Sequence, residues 1–477
     1  MKLPGTFHTH FHVRCYKVVV AFAISAMLSV SAGELRIGAA AMNITPPVGI
    51  GLAGYYFDRG AQGTNDDLFA KSIVIESDGE YAALVGVDLI STTRLMVETA
   101  RKEIEKETAI PGGHVMISAT HAHTGPVLVN RGSREDSQGG AADLSQRYSE
   151  GLPHRIAESV RLAFTRLKAA KVSAASVREE NLSFNRRFFM QDGTVGWNPG
   201  KLNPKIVRPA GPTDPEVASL FFEAPQAKGA PELISVYVNF AMHPDTVGGD
   251  RFSADYPGAL SRALAGFQGT NLVTLFANGT CGNLNHVDVN WADPQHGPGE
   301  AHRIGALLAA DVMRGYRLRQ PVAAGALRVR SEIVHLDLPE NHPGDVERAR
   351  AVTARYDSKS NAGFMEKVEA YRILDVEARH GKPQEVEVQV VALGNEIAWV
   401  SLPGEIFVEL GLAIKNASPF RHTFIAELAN GAVGYIPNRT AYPQGNYEVV
   451  SARCAAGSGE RLVESAVRLL REAWAGK

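Results

Sequence analysis

The sequence predicts a mixed α/β fold, α+β in character, in which large β-sheets are flanked by helices. Short apolar runs of β type recur along the chain between stretches of helical periodicity, the pattern of layered sheets and helices. Several of these runs end abruptly in polar, Gly-containing sequence, which is how sheets present functional loops at one edge. No internal repeat, heptad seam or low-complexity block competes with that reading.

At 477 residues the chain is long enough for one large core or two ordinary ones. Hydrophobic residues make up 45% and charged residues 21%, a globular balance that excludes extensive disorder. A formal net charge of -2, without a long basic block, speaks against nucleic acid as a partner. Function must therefore be sought in sites.

The elements follow in order. Lys2, Arg14 and Lys17 precede an apolar run, 18–32, that closes on the small residues Val30-Ser31-Ala32. Residues 1–32 are expected to be a cleaved signal peptide, which makes the protein secreted or periplasmic. The run falls short of the ~20 residues a spanning helix needs, and no later stretch reaches that length, so no transmembrane helix is expected in the mature chain. Cys15 lies in the leader without the apolar residues that precede a lipidated cysteine.

Beyond Glu34, β-type runs at 72–75 and 82–87 give way to helical periodicity over 92–106. Further helices are expected at 146–168, 257–266, 301–316, 343–356, 362–380 and 460–474, each with apolar residues near i, i+3 and i+4. Residues 189–215, rich in Gly, Pro and Asn and containing Asp192-Gly193, read as a long loop of the kind that lies over sites. Residues 33–477 are read as one intertwined domain, because a boundary near Pro321 would strand later site residues in a second half. Two cysteines remain in the mature chain, Cys281 and Cys454, and in an oxidising compartment a disulfide between their Gly-rich loops is expected.

Five strand ends carry chemistry. Residues 115–120 run into His121-Ala122-His123-Thr124-Gly125-Pro126, and 234–242 into His243-Pro244-Asp245. The run 272–277 leads into a Gly-rich loop ending Gly282-Asn283-Leu284-Asn285-His286. The last two are 397–402 before Pro403-Gly404-Glu405, and 423–430 before Gly431-Ala432-Val433-Gly434-Tyr435.

In an extended segment residues two apart share a side, so His121 and His123 face one centre, one as a metal ligand and the other near its bound water. Taken singly, each position has an ordinary explanation. His243 after a long apolar run suits a hydrogen-bonded core histidine. Glu405 precedes a helical run, 406–414, and suits a first helical turn, where the macrodipole favours a carboxylate. Tyr435 suits a packed aromatic, since a phenol of pKa ~10 needs a cation beside it before it binds as phenolate.

Together, their order and wording resemble the neutral, non-lysosomal ceramidase family over nearly the whole mature chain, to about Glu448. The matching segments are Ala41-Met42-Asn43-Ile44-Thr45-Pro46-Pro47, the Thr-His-x-His-x-Gly-Pro motif at 120–126 and the Asn185-Arg186 pair. Phe240-Ala241-x-His243-Pro244, the Pro-Gly-Glu at 403–405 and a tail with Tyr435, Tyr442 and Tyr447-Glu448 complete the series. The resemblance implies the catalytic domain fold of that family and one catalytic zinc ion (Zn2+) held by His121, His243, Glu405 and Tyr435. It places His123 and Arg186 at the reaction centre, with Tyr447 a neighbour. Water activated at an exchangeable zinc position would attack a carbonyl carbon, His123 would pass a proton to the leaving group, and Arg186 would stabilise the oxyanion. Arg187 competes with Arg186 for that assignment.

Departures from the family pattern bear on the substrate. Asn285 stands where the family's Gly-Asp-Val-Ser-Pro-Asn motif has serine, so a hydroxyl role is lost while an amide can still bind substrate. His286 is an added polar group that suits contact with substrate or metal, and Asp255 in Ser253-Ala254-Asp255-Tyr256-Pro257-Gly258 reads as a substrate residue, a support residue or a helix cap. Ceramidases carry a further C-terminal β-sandwich domain, whereas this chain ends about thirty residues past Tyr447. A ceramide pocket is expected to be a deep apolar trench, and 189–215 does not advertise one. A small-molecule N-acyl or ester substrate, a lipid or a decorated sugar, is therefore expected.

Alternatives are a non-catalytic binding module on the same fold, a zinc amidohydrolase barrel, and a metal-dependent lyase or transferase. In the barrel class His-x-His follows the first strand, whereas here it arrives after at least two.

Overall fold

Three larger β-sheets, each ending in a pair of parallel strands, organise the chain in the computed structural model. The structure describes Met1 and residues 34–57, 59–129, 140–269, 271–354 and 363–476. The expected signal peptide, with Cys15, lies outside the described residues.

The first sheet runs in the order Val115–Ala119, Glu80–Val87, Phe69–Ser77, Arg36–Asn43, Lys168–Ala169. The second runs Val273–Asn278, Glu232–Phe240, Glu216–Ala224, Lys171–Arg178, Gln320–Val322, and the third Leu327–Leu336, Gln384–Leu393, Ile397–Ser401, His422–Ala426. The pairings are antiparallel except for one edge pair in each sheet: Glu80–Val87 with Val115–Ala119, Glu232–Phe240 with Val273–Asn278, and Ile397–Ser401 with His422–Ala426. In all three sheets the parallel partner is reached through intervening chain that contains a helix: Arg94–Glu107, Asp255–Gln268 and Val408–Ala417.

Alternation along the strands explains how the sheets pack. Ile73, Leu84 and Met116 of the first sheet, Leu220, Tyr237 and Leu275 of the second, and Val391, Trp399 and Phe424 of the third belong to one apolar cluster. Their sequence neighbours point the other way: Val74 and Val85 pack with the helices Arg94–Glu107 and Ala142–Thr165. Phe221 and Val236 pack with Asp255–Gln268 and Pro298–Leu318, and Val390 and Ala392 with Val408–Ala417 and Ser458–Trp474. The strands are thus apolar on both faces, as sheets covered on both sides must be. Each outward face takes its helices from nearby sequence, and the shared inner cluster joins the three sheets.

The class and the long helices agree with the sequence pattern, with ends shifted by a few residues, as helix boundaries commonly are. Residues 189–215 do not form the expected loop. Arg187–Met190 pairs with Val195–Trp197 and with Ile206–Pro209 in a small antiparallel sheet. Its tight turn is Asp192-Gly193: Gly193 has φ 82°, and Asp192 Oδ1 accepts from the Thr194 amide at 3.0 Å. Asp-Gly hairpin chemistry outweighed a loop-like composition.

The expected disulfide is also absent: Cys281 and Cys454 are both buried free thiols. Cys281 packs with Ala241, Leu284 and Val408, whereas Cys454 belongs to the cluster between the third sheet and its helices. Each is enclosed by a different apolar neighbourhood.

Trp399 is fully buried within the cluster common to all three sheets. Trp399→Ala is expected to destabilise the protein by about 3–5 kcal/mol, read as a lower urea midpoint at unchanged slope.

Candidate metal centre

The carboxyl ends of the three parallel pairs meet. Ser118 bridges Ala429, the Ala119 amide donates to Leu428 O at 3.2 Å, and the Glu427 amide donates to Asn278 O at 3.0 Å. Asn239 closes the junction, its Nδ2 donating to both Ala277 O and Ile425 O at 2.8 Å. Loops leaving these strands therefore project into one place, the usual location of a site in parallel sheets.

His121, His123, His243, Glu405 and Tyr435 come together there. Ring nitrogens of the three histidines lie within 4.8 Å of one another. Glu405 Oε2 is 3.4 Å from His121 Nε2 and 3.2 Å from His243 Nε2, and Tyr435 Oη is 3.4 Å from His243 Nε2. His123 Nε2 is 3.2 Å from His121 Nε2.

Two local devices differ from the sequence expectation. His121 is not extended: its φ of 73° turns the chain sharply after Ala119, and that turn, not strand alternation, aims both histidines inward. Such a backbone is uncommon outside Gly, although His shares with Asn and Asp a greater tolerance for it, and it persists where surrounding structure holds it. Glu405 is not in a helical turn either. Glu405–Ile406 pairs in parallel with Tyr435–Ile436, with Glu405 opposite Tyr435, and the helix begins only at Val408. The pairing fixes two candidate donors in register, because their alpha carbons are ladder partners.

The histidine tautomers decide what the cluster needs. His121 Nδ1 lies 2.7 Å from Ile90 O and His243 Nδ1 2.9 Å from Cys281 O. A carbonyl only accepts, so both Nδ1 atoms carry the proton, and both Nε2 lone pairs face the Glu405 carboxylate. Three acceptors directed at one point call for positive charge between them, which a cation can supply. A tetrahedral ion with ligand distances of about 2.0–2.2 Å separates its ligand atoms by roughly 3.3–3.6 Å, close to the spacings seen here. The donor set fits a small metal ion.

The proton affinities of these groups point the same way. Burial and the neighbouring Arg186 guanidinium push His243 down to about 3, and burial together with His121 pushes His123 well below its ordinary value. Burial would raise Glu405, yet His121 and His243 hold it well below the carboxylate range. Burial opposes charging of His121, but Glu405 outweighs it and the imidazole is raised. The cluster draws in positive charge, and a cation would compete with that proton for the same place.

Arg186 and Arg187 divide the labour that the sequence left open. Both pair with the fully buried Glu448, at 2.8 Å each. Arg186 also donates to Gly282 O at 2.7 Å, and its guanidinium lies 5.4 Å from the Tyr435 ring centroid and 5.9 Å from that of Tyr447. Arg187 turns instead toward Gly445 O and the Phe407 ring. Arg186 is the one that faces the cluster.

Asn285 and His286 sit elsewhere. The Asn285 amide donates to Asn198 Oδ1 at 2.9 Å and its oxygen accepts from Val287 N, so it pins a turn. His286 is buried with Nδ1 unpartnered. Tyr447 does line the cavity beside the histidines, whereas Asn285 and His286 are not among its lining residues. Asp255 is a support: its carboxylate accepts from the Thr246 and Val247 amides, fixing the loop after His243.

Three contributors were assigned no chemical role from the sequence, although Asp245 and Glu448 stand within its motifs. Asp245 Oδ1 lies 3.4 Å from His123 Nδ1 and accepts the Tyr55 hydroxyl. Glu427 accepts from Cys281 Sγ at 2.9 Å and from the Cys281 and Ile406 amides. It thereby braces both the carbonyl that orients His243 and the segment after Glu405. Glu448, the third, holds Arg186 and Arg187. For Glu427 an acid inside the apolar run 423–430 was the available signal, since a buried carboxyl must have partners.

Burial pushes Glu427 from 4.5 up to about 8. The folded state then binds the extra proton, so this group's contribution is fully present below the unfolded value and is lost as pH rises toward 8. Metal-free protein is expected to lose stability across that window, by on the order of a few kcal/mol. Glu427→Gln is expected to flatten that slope in urea unfolding at stepped pH.

No family model and no curated protein matches the chain. Solved structures do. Neutral ceramidase from Pseudomonas aeruginosa superposes with a TM-score of 0.74 and 19% identity, covering 93% of this chain and 75% of that one. A ceramidase complexed with C2 gives 0.70 and 20%, covering 92% and 75%. The chain therefore has the fold of neutral ceramidase.

Proposed function

We propose that this protein is an exported, zinc-dependent hydrolase that cleaves an amide or ester bond in a small N-acyl or ester substrate. The observation that supports it most is the set of lone pairs from His121, His243 and Glu405 directed at one buried point. The shared fold with neutral ceramidase favours amide cleavage. Imidazole, carboxylate and phenolate oxygen donors suit zinc, with His121, His243, Glu405 and Tyr435 as its ligands.

A zinc ion bound there supplies a Lewis acid that polarises a carbonyl and acidifies water. The remaining work falls to the chain. His123, kept neutral by burial and by His121, has Nε2 directed at the cluster and accepts a proton during attack. It returns that proton to the departing amine or alcohol. Asp245, at 3.4 Å from Nδ1, lies close enough to receive that nitrogen once the ring takes up the proton, although no hydrogen bond joins them in this structure. Arg186, held by Glu448 and Gly282 O, provides a fixed positive charge for the oxyanion without moving during the reaction.

Among the described residues no helix is long and apolar enough to cross a membrane. The basic and apolar leader at 1–32 supports export.

Purified protein is expected to hold about one zinc per chain and to release amine or alcohol from a panel of ceramides, short N-acyl amines, N-acetyl sugars and esters. His121→Ala is expected to lose the metal and at least ~1000-fold in kcat/KM, and a chelator to reproduce that loss in the parent. Parent and variant with equal metal content and equal turnover would contradict the assignment.

A further inference from the structure

Residues 53–57 and Arg59, which belong to none of the motifs, strap the loop that carries His123. Gly54 has φ 105°, and a Cβ there would come within 2.4 Å of His123 O, so glycine lets the two segments pass this closely. The buried Arg59 guanidinium donates to His123 O at 2.8 Å, to Gly249 O at 2.6 Å and to Ala53 O. The His123 amide donates in turn to Pro244 O at 3.3 Å. Backbone contacts thus hold both Tyr55 and Asp245 close to His123.

One nitrogen of the His123 ring is left over. Nε2 lies 3.2 Å from His121 Nε2, whereas Nδ1 is buried and makes no hydrogen bond among the described residues. Once Nε2 takes a proton from attacking water, Nδ1 carries the ring's other N–H, and a buried N–H without an acceptor is costly. Asp245 Oδ1 stands 3.4 Å from Nδ1, and its side chain is 34% exposed, which leaves it room to close in. Catalytic hydrogen bonds are commonly long in a free enzyme and tighten when substrate binds.

Tyr55 aims that oxygen, because its hydroxyl donates to the same Oδ1 atom. Burial, and after it the Asp245 charge, raise the phenol, so the hydroxyl stays a donor. The Tyr55 ring is held by stacking on Phe57 at 5.3 Å and by the Arg59 guanidinium at 4.3 Å, and it meets the His123 ring at 5.8 Å and 66°. Gly54 and Tyr56 line the cavity over the cluster, whereas Tyr55 and Asp245 are not among its lining residues. Any influence of these two on the reaction therefore runs through His123.

Resting on the hydrolase reading above, we infer that Tyr55 and Asp245 are positioning residues for His123 and, through it, for protonation of the leaving group. Tyr55 holds the Asp245 carboxylate at Nδ1, and the carboxylate keeps Nε2 turned toward the reacting atoms. The proton that water gives to Nε2 passes to the departing nitrogen as the C–N bond breaks, while the Nδ1 proton stays on the ring and Asp245 stays ionised. An alkylamine must be protonated to leave, whereas p-nitrophenolate departs as the anion. The pair therefore matters for amides and far less for activated esters.

Zinc-loaded parent, Tyr55→Phe, Asp245→Asn and the double variant are to be compared on the panel amide that the parent cleaves fastest and on the p-nitrophenyl ester of the same acid. Each single variant is expected to lower kcat for the amide by roughly 10- to 100-fold at little-changed KM, and the amide-to-ester ratio of kcat by about 10-fold or more. The double variant is expected to lose no more than Asp245→Asn alone, because Tyr55 acts through Asp245. NMR of the same proteins with isotope-labelled histidine is expected to show the Nδ1–H tautomer of His123 in the parent and its loss in Asp245→Asn. Variants that keep the parent's amide-to-ester ratio, losses confined to KM, or single-variant effects that multiply in the double variant would overturn the assignment. Zinc content and urea midpoints are measured alongside, and if one variant does not fold the other decides. A parent that cleaves only the ester overturns the role in leaving-group protonation and leaves the hydrolase reading standing. A parent that cleaves neither sinks the hydrolase reading, and the His123 tautomer then decides whether the pair orients the ring.

Discussion

The site rests on two hydrogen bonds that fix imidazole tautomers. Ile90 O and Cys281 O each take an Nδ1 proton, and this leaves the Nε2 atoms of His121 and His243 as acceptors facing Glu405. Repulsion among those acceptors is tolerable only with positive charge between them. The surrounding fold holds the donors in place against that repulsion. His121 keeps its left-handed backbone, Glu405 and Tyr435 are tied as ladder partners, and Glu427 braces the loop whose carbonyl orients His243.

The architecture explains why these residues can be assembled from such distant parts of the chain. Each sheet brings its one parallel pair to the same junction, so loops after residues 119, 240, 278, 401 and 426 open together. The cost is a set of buried charges, above all Glu448 between Arg186 and Arg187. Buried pairs of this kind stabilise weakly but penalise any arrangement that leaves one partner alone, which favours a single geometry here.

Much of this was legible in the sequence because the signals are local. Apolar runs that stop at His121, His243, Glu405 and Tyr435 mark strand ends, and the structure brings these four together with His123 and Arg186. What was not legible depends on contacts between distant segments. The pairing of Glu405 with Tyr435 replaced an expected helical turn, and the turn at His121 replaced an extended strand. The support from Glu427, Glu448 and Asp245 reaches across sheets and has no fixed spacing. Residues 189–215 misled for the opposite reason: their Gly, Pro and Asn content resembles a loop, while the turn at Asp192-Gly193 builds a sheet that delivers Trp197 against Tyr447. The free thiols show that two cysteines do not imply a bridge when each has its own apolar enclosure.

The most direct test is a crystal structure of zinc-soaked protein with anomalous data collected on both sides of the zinc absorption edge. One strong zinc peak is expected, about 2.0–2.2 Å from His121 Nε2, His243 Nε2, Glu405 Oε2 and Tyr435 Oη. A cluster that stays free of anomalous density at saturating zinc, with Glu405 protonated between the two imidazoles, would contradict the metal centre.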